Sequence, residues 1–263
     1  MVFPATAGGR ATNATAVPLP GDSTLVSVIA GGADARNPTL RVGSQVVPVQ
    51  IIGHDPVSRL GFYRIDGQPT PKSMDWLESA GNSAGATLHA MGPAGSVKCR
   101  STGWVKQVGG KILPLALLSV TFDRSVPPPG TPLLDSAGRV AAILFQASGS
   151  GTVGYAIPAE AVHRVRRDVS NGGQLVRGWL GLSLMAENQS PQIVRVLPQS
   201  PAAKAGILPG DVLTAVGTRT ITDYADAANA FFYLIPGETV RVKLLRGVEP
   251  MEFPLTPISP QAE

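Results

Sequence analysis

The chain has 263 residues, is 43% hydrophobic and 15% charged, and carries a formal net charge of +4. That composition supports packed cores, excludes a disordered polyelectrolyte and gives no ground for a nucleic-acid partner. A length of this size favours two domains, and 30 Gly with 24 Pro point to short strands and many turns.

The single cysteine, Cys99, rules out an intrachain disulfide, and as a small apolar residue it is expected to be buried. No apolar run reaches membrane-spanning length. Met1 to Arg10 lacks the basic start and apolar stretch of a signal peptide, so the sequence itself carries no address.

Residues 1–22 are small, polar and rich in Pro and Gly without periodicity, and read as an extended arm. From Ser23 the pattern turns to strands over Thr24–Ala30, Thr39–Val42, Val46–Ile52 and Leu60–Ile65. Met74–Ala80 reads as one or two helical turns. Further strands are expected over Thr87–Met91, Lys98–Val108 and Lys111–Val120. Val126 to Gln146 then reads as a rigid proline run followed by a hairpin. Thr131–Leu134 is one strand, Asp135-Ser136-Ala137-Gly138 the turn, and the apolar Arg139–Phe145 a second, buried strand. Ser148-Gly149-Ser150-Gly151 is a Gly-rich connection. Pro158 to Asn171 forms a helix, with Pro at its start and Ala161, Val162, Val165 and Val169 on one face. Residues 172–177 read as a linker and 258–263 as a tail.

The three histidines, His54, His89 and His163, are dispersed. They show no paired-ligand spacing, so no metal site and no cofactor is expected. His54 beside Asp55 reads as turn polarity, since adjacent residues seldom face each other as a base and its orienter.

Several runs resemble the HtrA-type serine proteases. Gly53-His54-Asp55-Pro56-Val57-Ser58-Arg59-Leu60-Gly61 is similar to the family's Asp-Pro-x-x-Asp-Leu-Ala run. Gly154-Tyr155-Ala156-Ile157-Pro158 is close to its Gly-Phe-Ala-Ile-Pro. The proline run falls where the family has Gly-Asn-Ser-Gly-Gly-Pro-Leu. The resemblance implies a mainly β chain: a chymotrypsin-like double β-barrel over 23–171, then a PDZ domain over 178–257.

It also implies that the catalytic machinery is gone. The serine position holds Pro129, the aspartate position Arg59 and the histidine position Ser27. Arginine has no acceptor with which to orient an imidazole. The two oxyanion donors would be the N–H groups of residues 127 and 129, and proline has none. Each missing donor costs about a hundredfold or more in rate. No histidine precedes His54.

The run Ser200-Pro201-Ala202-Ala203-Lys204-Ala205-Gly206-Ile207-Leu208-Pro209-Gly210-Asp211 resembles the PDZ domain of the same family more strongly. Such domains take an extended C-terminal peptide as an added strand. By that resemblance Gly178, Trp179, Leu180 and Gly181 form the carboxylate loop, and Leu182, Ser183 and Leu184 the pairing strand. A helix over Tyr224–Leu234 presents Ala227 and Phe231, four residues apart on one face. One of Phe231 and Phe232 is expected in the core. The implied function is a catalytically dead HtrA-like protein that binds peptide or unfolded-protein C-termini. A serine endopeptidase with a displaced site and a structural assembly subunit are the alternatives. Family analogy adds a homo-oligomer, such as a trimer, or association with an active homologue, in the periplasm or envelope.

Overall fold

The computed structural model describes residues 1–4, 11–21, 23–31, 33–65, 72–78, 84–92, 95–108, 111–149, 151–172, 175–185 and 190–259. The chain divides into two compact units: Met1–Val105 with Leu117–Leu175, and Lys106–Ala116 with Val176–Glu263.

The first unit opens with β1 (Val2–Phe3), β2 (Thr12–Asn13), β3 (Ala16–Pro18), β4 (Thr24–Val28), β5 (Thr39–Val42), β6 (Gln45–Asp55) and β7 (Leu60–Ile65). These make one seven-stranded sheet in the order β2-β1-β5-β6-β7-β4-β3. The opening residues are therefore not a free arm. Phe3 is fully buried and packs near Tyr63, with ring centroids 6.0 Å apart. Strands of two or three residues carry no alternation long enough to read in advance, and tertiary packing decides them. All five residues of β4 are buried, because β3 and β7 flank it on both edges.

β8 (Thr87–Gly92), β9 (Gly95–Val108), β10 (Lys111–Phe122), β11 (Pro132–Leu134), β12 (Val140–Ala147) and β13 (Val153–Pro158) follow. They close into a barrel in the order β10-β13-β12-β11-β8-β9. Closure leaves no edge among its members. The apolar half of the expected hairpin, Val140 to Leu144, is buried throughout. A core of Leu88, Cys99, Leu118, Leu133, Leu144 and neighbours fills the barrel. Burial pushes the Cys99 thiol up to about 12, which makes it inert.

α1 (Ala159–Gly172) packs its Ala161, Val162, Val165 and Val169 inward, as the stripe requires. The stretch around Trp76 is extended rather than helical. Trp76 forms a parallel bridge with Val140, and Leu77 donates its N–H to the Val140 carbonyl at 3.0 Å. Residues 79–83 and Ser150 lie outside the described residues, as do 173–174 of the expected linker and 260–263 of the expected tail.

The second unit contains β14 (Leu182–Leu184), β15 (Ile193–Val196), α2 (Pro201–Lys204), β16 (Val212–Val216), β17 (Arg219–Thr220), α3 (Tyr224–Phe232), β18 (Val240–Arg246) and β19 (Glu249–Leu255). β14 and β15 pair alone, and the other four strands form a sheet in the order β17-β16-β18-β19. Ser200 caps α2 by accepting the Ala203 N–H, with Pro201 at the first turn. The Gly210-Asp211 turn has a reason of its own. Arg246 grips the buried Asp211 carboxylate through Nε and Nη2, both at 2.9 Å, and Leu208 N–H adds a third bond at 2.9 Å. The Arg246 hydrogen bonds hold the Asp211 carboxyl below its ordinary range. Among the described residues no helix is long and apolar enough to cross a membrane.

Candidate functional site

Two places bear on function: the proline run in the first unit and the groove in the second.

The proline run is tied down by its own chain. Pro129 presents its carbonyl to the Thr15 N–H at 2.7 Å, and Gly130 donates to the Leu144 carbonyl at 2.7 Å. Thr131, fully buried, donates its hydroxyl to the Pro128 carbonyl at 2.7 Å. Thr15 closes the group. Its hydroxyl lies 3.2 Å from that of Thr131, and its carbonyl accepts the Ser27 hydroxyl at 2.8 Å. Gly130 is held at φ 81°, and a Cβ there would stand 2.0 Å from the Thr15 carbonyl oxygen, so only glycine fits.

Ser27 and Pro129 thus meet on one residue, Thr15. Ser27 lies within β4, fully buried, with its hydroxyl already engaged. Arg59 takes a different course. Its backbone is left-handed, φ 57°, unusual for a residue with a side chain. Asp55 holds the turn by accepting the Ser58 N–H at 2.7 Å and hydroxyl at 2.6 Å, so its carboxylate is engaged with Ser58. The Arg59 guanidinium lies 3.9 Å over the Phe145 ring and donates to Gln146 Oε1 at 2.8 Å. Burial pulls its pKa down from the ordinary value, yet a guanidinium stays charged. Among the described residues, none of the three histidines hydrogen-bonds a serine or a carboxylate. His89 lies in β8 opposite Lys98 and Leu134.

The groove has the opposite character. A cavity of about 270 Å³ is lined by Gly178 to Leu182, Arg177, Pro114, Ala228, Phe231, Phe232 and Leu234. Gly181 sits at φ 81° with Ser200 so close that a Cβ would come within 2.1 Å of it. The loop's amides divide in two. Gly178 donates to Leu234 at 3.1 Å and Trp179 to Ile258 at 2.8 Å. Leu180 and Gly181 have no backbone acceptor among the described residues. β14 pairs with β15 on one edge, and its other edge has no partner among the described residues. An open edge of this kind accepts an added strand.

Of the residues named from the sequence, Gly178 to Leu182 and Phe231 line the cavity, and Ala227 does not. Ala227 is fully buried in the core with Ala230 and Leu234, and the small residue at the cavity is Ala228. Phe231 lines the cavity as expected, but with Ala228, three residues before it, rather than with Ala227, four before it. Phe232 is 2% exposed and serves the core as well. Ser183 and Leu184 lie on the strand without lining the cavity. Arg177 was missed. It lines the cavity, and its buried Nη2 has no hydrogen-bond partner among the described residues. Its place directly before the glycine loop was the signal, a cation beside a loop that could hold a carboxylate.

Residues 178–256 match the PDZ domain family model. The chain is 25% identical over 240 residues to a probable periplasmic DegP-like serine endoprotease of Chlamydia trachomatis, covering 81% of this chain and 47% of the relative. It is 30% identical over 127 residues to the periplasmic pH-dependent serine endoprotease DegQ of Escherichia coli, covering 44% and 28%. A solved structure of the HtrA-type protease AlgW with a tripeptide superposes with TM-score 0.70 at 22% identity, covering 100% of this chain and 93% of that one. The fold is HtrA-like, a trypsin-like protease fold with a PDZ domain. The chain spans about half the length of the Chlamydia relative and less of DegQ. An HtrA-like chain of this kind carries Pro, Arg and Ser at positions 129, 59 and 27.

Proposed function

We propose that this HtrA-like chain is a non-catalytic protein that binds peptide or unfolded-protein C-termini in its PDZ groove. The observation that carries the reading is the contrast at position 129. By the resemblance, Pro129 falls in the nucleophile register, and its carbonyl is bonded to Thr15, while among the described residues the groove keeps an unpaired strand edge and two loop amides without a backbone acceptor. No hydroxyl at 129 means no acyl-enzyme. The end of β4 and the residues after it read Ser27-Val28-Ile29-Ala30, so no imidazole is present there in any neighbouring register.

In the groove the ligand adds to the open edge of β14, and its terminal carboxylate meets the Leu180 and Gly181 amides. Arg177 supplies a cation beside them, and charge-assisted bonds of this kind are the strong ones. Phe231, Leu182 and Leu234 take the terminal apolar side chain. Chaperone, scaffold and regulator of an active homologue are the roles such a chain can fill, as a periplasmic homo-oligomer by analogy with its relatives. The reading of an active endopeptidase draws on the relatives' names, serine endoproteases.

Titration with one apolar-ended peptide, carrying either a free or an amidated C-terminus, tests the groove. Saturable binding of the free form, weakened at least about tenfold by amidation, supports recognition of the terminus. Equal and negligible binding of both overturns it.

A further inference from the structure

Apart from both sites, α1 faces an extended strap, Asp75–Leu77, across an ionisable ring. Trp76 anchors the strap. Its indole donates to the Pro18 carbonyl at 3.1 Å, and Val140 donates to the Asp75 carbonyl at 2.7 Å. The strap therefore ties β3, at the margin of the seven-stranded sheet, to β12 of the closed barrel. His163 of α1 meets Trp76 edge to face, ring centroids 5.7 Å apart at 68°. The imidazole hydrogen-bonds the Leu77 backbone, and its Nε2 is buried with no partner.

We propose that His163 makes this strap acid-labile: the neutral ring locks Trp76 and Leu77 in place, and protonation of Nε2 releases them. In the neutral ring one nitrogen donates to the Leu77 carbonyl and Nε2 carries only a lone pair. A proton on Nε2 creates a buried N–H with no acceptor, on a ring that has become a cation, and leaving such a donor unmet is costly. Glu78 on the strap favours the cation and Arg166 on the same helix opposes it. Burial is the largest influence, and it lowers the pKa of His163 below its ordinary 6.5. The groups β3 and β12 bring to the strap, Pro18 and Val140, do not titrate.

The sign follows from linkage. A folded pKa below the unfolded one means that the contribution is complete above the unfolded pKa and is lost as pH falls through the folded one. Acid then loosens the join between β3 and β12 by opening a local element rather than the whole unit.

NMR on the full chain tests this with two readouts: the His163 ring titration and the protection of the Trp76 indole N–H. The expected results are a His163 midpoint below 6.5 and a tenfold or greater fall in Trp76 protection, after correction for intrinsic rates, between about pH 7 and pH 5. In His163→Phe, which keeps an aromatic partner for Trp76, protection stays flat. Glu78→Gln shifts the midpoint further down. Constant protection in the wild type, or the same fall in His163→Phe, overturns the proposal. Should that variant fail to fold, His163→Gln replaces it, and a wild-type midpoint at or above the ordinary value overturns the proposal by itself.

Discussion

The proline run and the groove of the second unit share one device, a glycine pressed against its neighbour, and differ in what surrounds it. At Gly130 the close approach brings Thr15 onto the run, and the polar groups there are answered from within. At Gly181 the close approach is to Ser200, and among the described residues the Leu180 and Gly181 amides have no backbone acceptor and the adjoining β14 edge no partner. On the proposed function, a fold can lose one binding surface by satisfying it internally and keep another by leaving its hydrogen-bonding groups unmet.

The largest expected effects come from filling those two glycines. Gly181→Ala forces a side chain into left-handed backbone and into Ser200, at a cost of about 3 kcal/mol or more, and abolishes peptide binding. Gly130→Ala costs a similar amount, about 3 kcal/mol, and leaves peptide affinity unchanged. Urea unfolding with a peptide titration on each variant measures both quantities, and loss of binding in Gly130→Ala breaks the contrast.

Phe231→Ala comes next. Removing one large apolar contact weakens an apolar-ended peptide by about 2 kcal/mol, roughly thirtyfold in Kd, as calorimetry should show. Arg177→Met is expected to cost about tenfold for a free C-terminus and nothing for the amidated peptide. An equal loss for both forms would assign Arg177 to packing.

The smallest effect belongs to the first unit. Arg59→Gln removes the cation over Phe145 and costs about 1 kcal/mol in stability, with no change in peptide affinity. A cycle with Phe145→Ala should show the two changes to be non-additive.

Much of this was legible in advance. The apolar β12, the stripe of α1 and the Ser200–Asp211 run announced themselves, because buried strands, amphipathic helices and capped turns follow local rules. Phe231 was expected on the groove face, and it lines the cavity. What failed did so for physical reasons. The first 22 residues hold strands too short to show a period, and burial of Phe3, Val17 and Leu19 reveals that they belong to the core. Trp76 looked helical because its partner, Val140, is distant in sequence. Ala227 and Ala228 are the same residue type, and both the i−4 and the i−3 neighbour share a face with Phe231, so the spacing could not choose between them. Gly178 and Trp179 were read as part of the carboxylate loop, and contacts to Leu234 and Ile258, distant in sequence, engage their amides.

The central claim is that the first unit no longer performs acyl chemistry. Exposing purified wild-type chain to a fluorophosphonate probe, with mass spectrometry of the intact protein, tests it most directly. The account predicts an unchanged mass. A stoichiometric adduct on any serine of the first unit would contradict it.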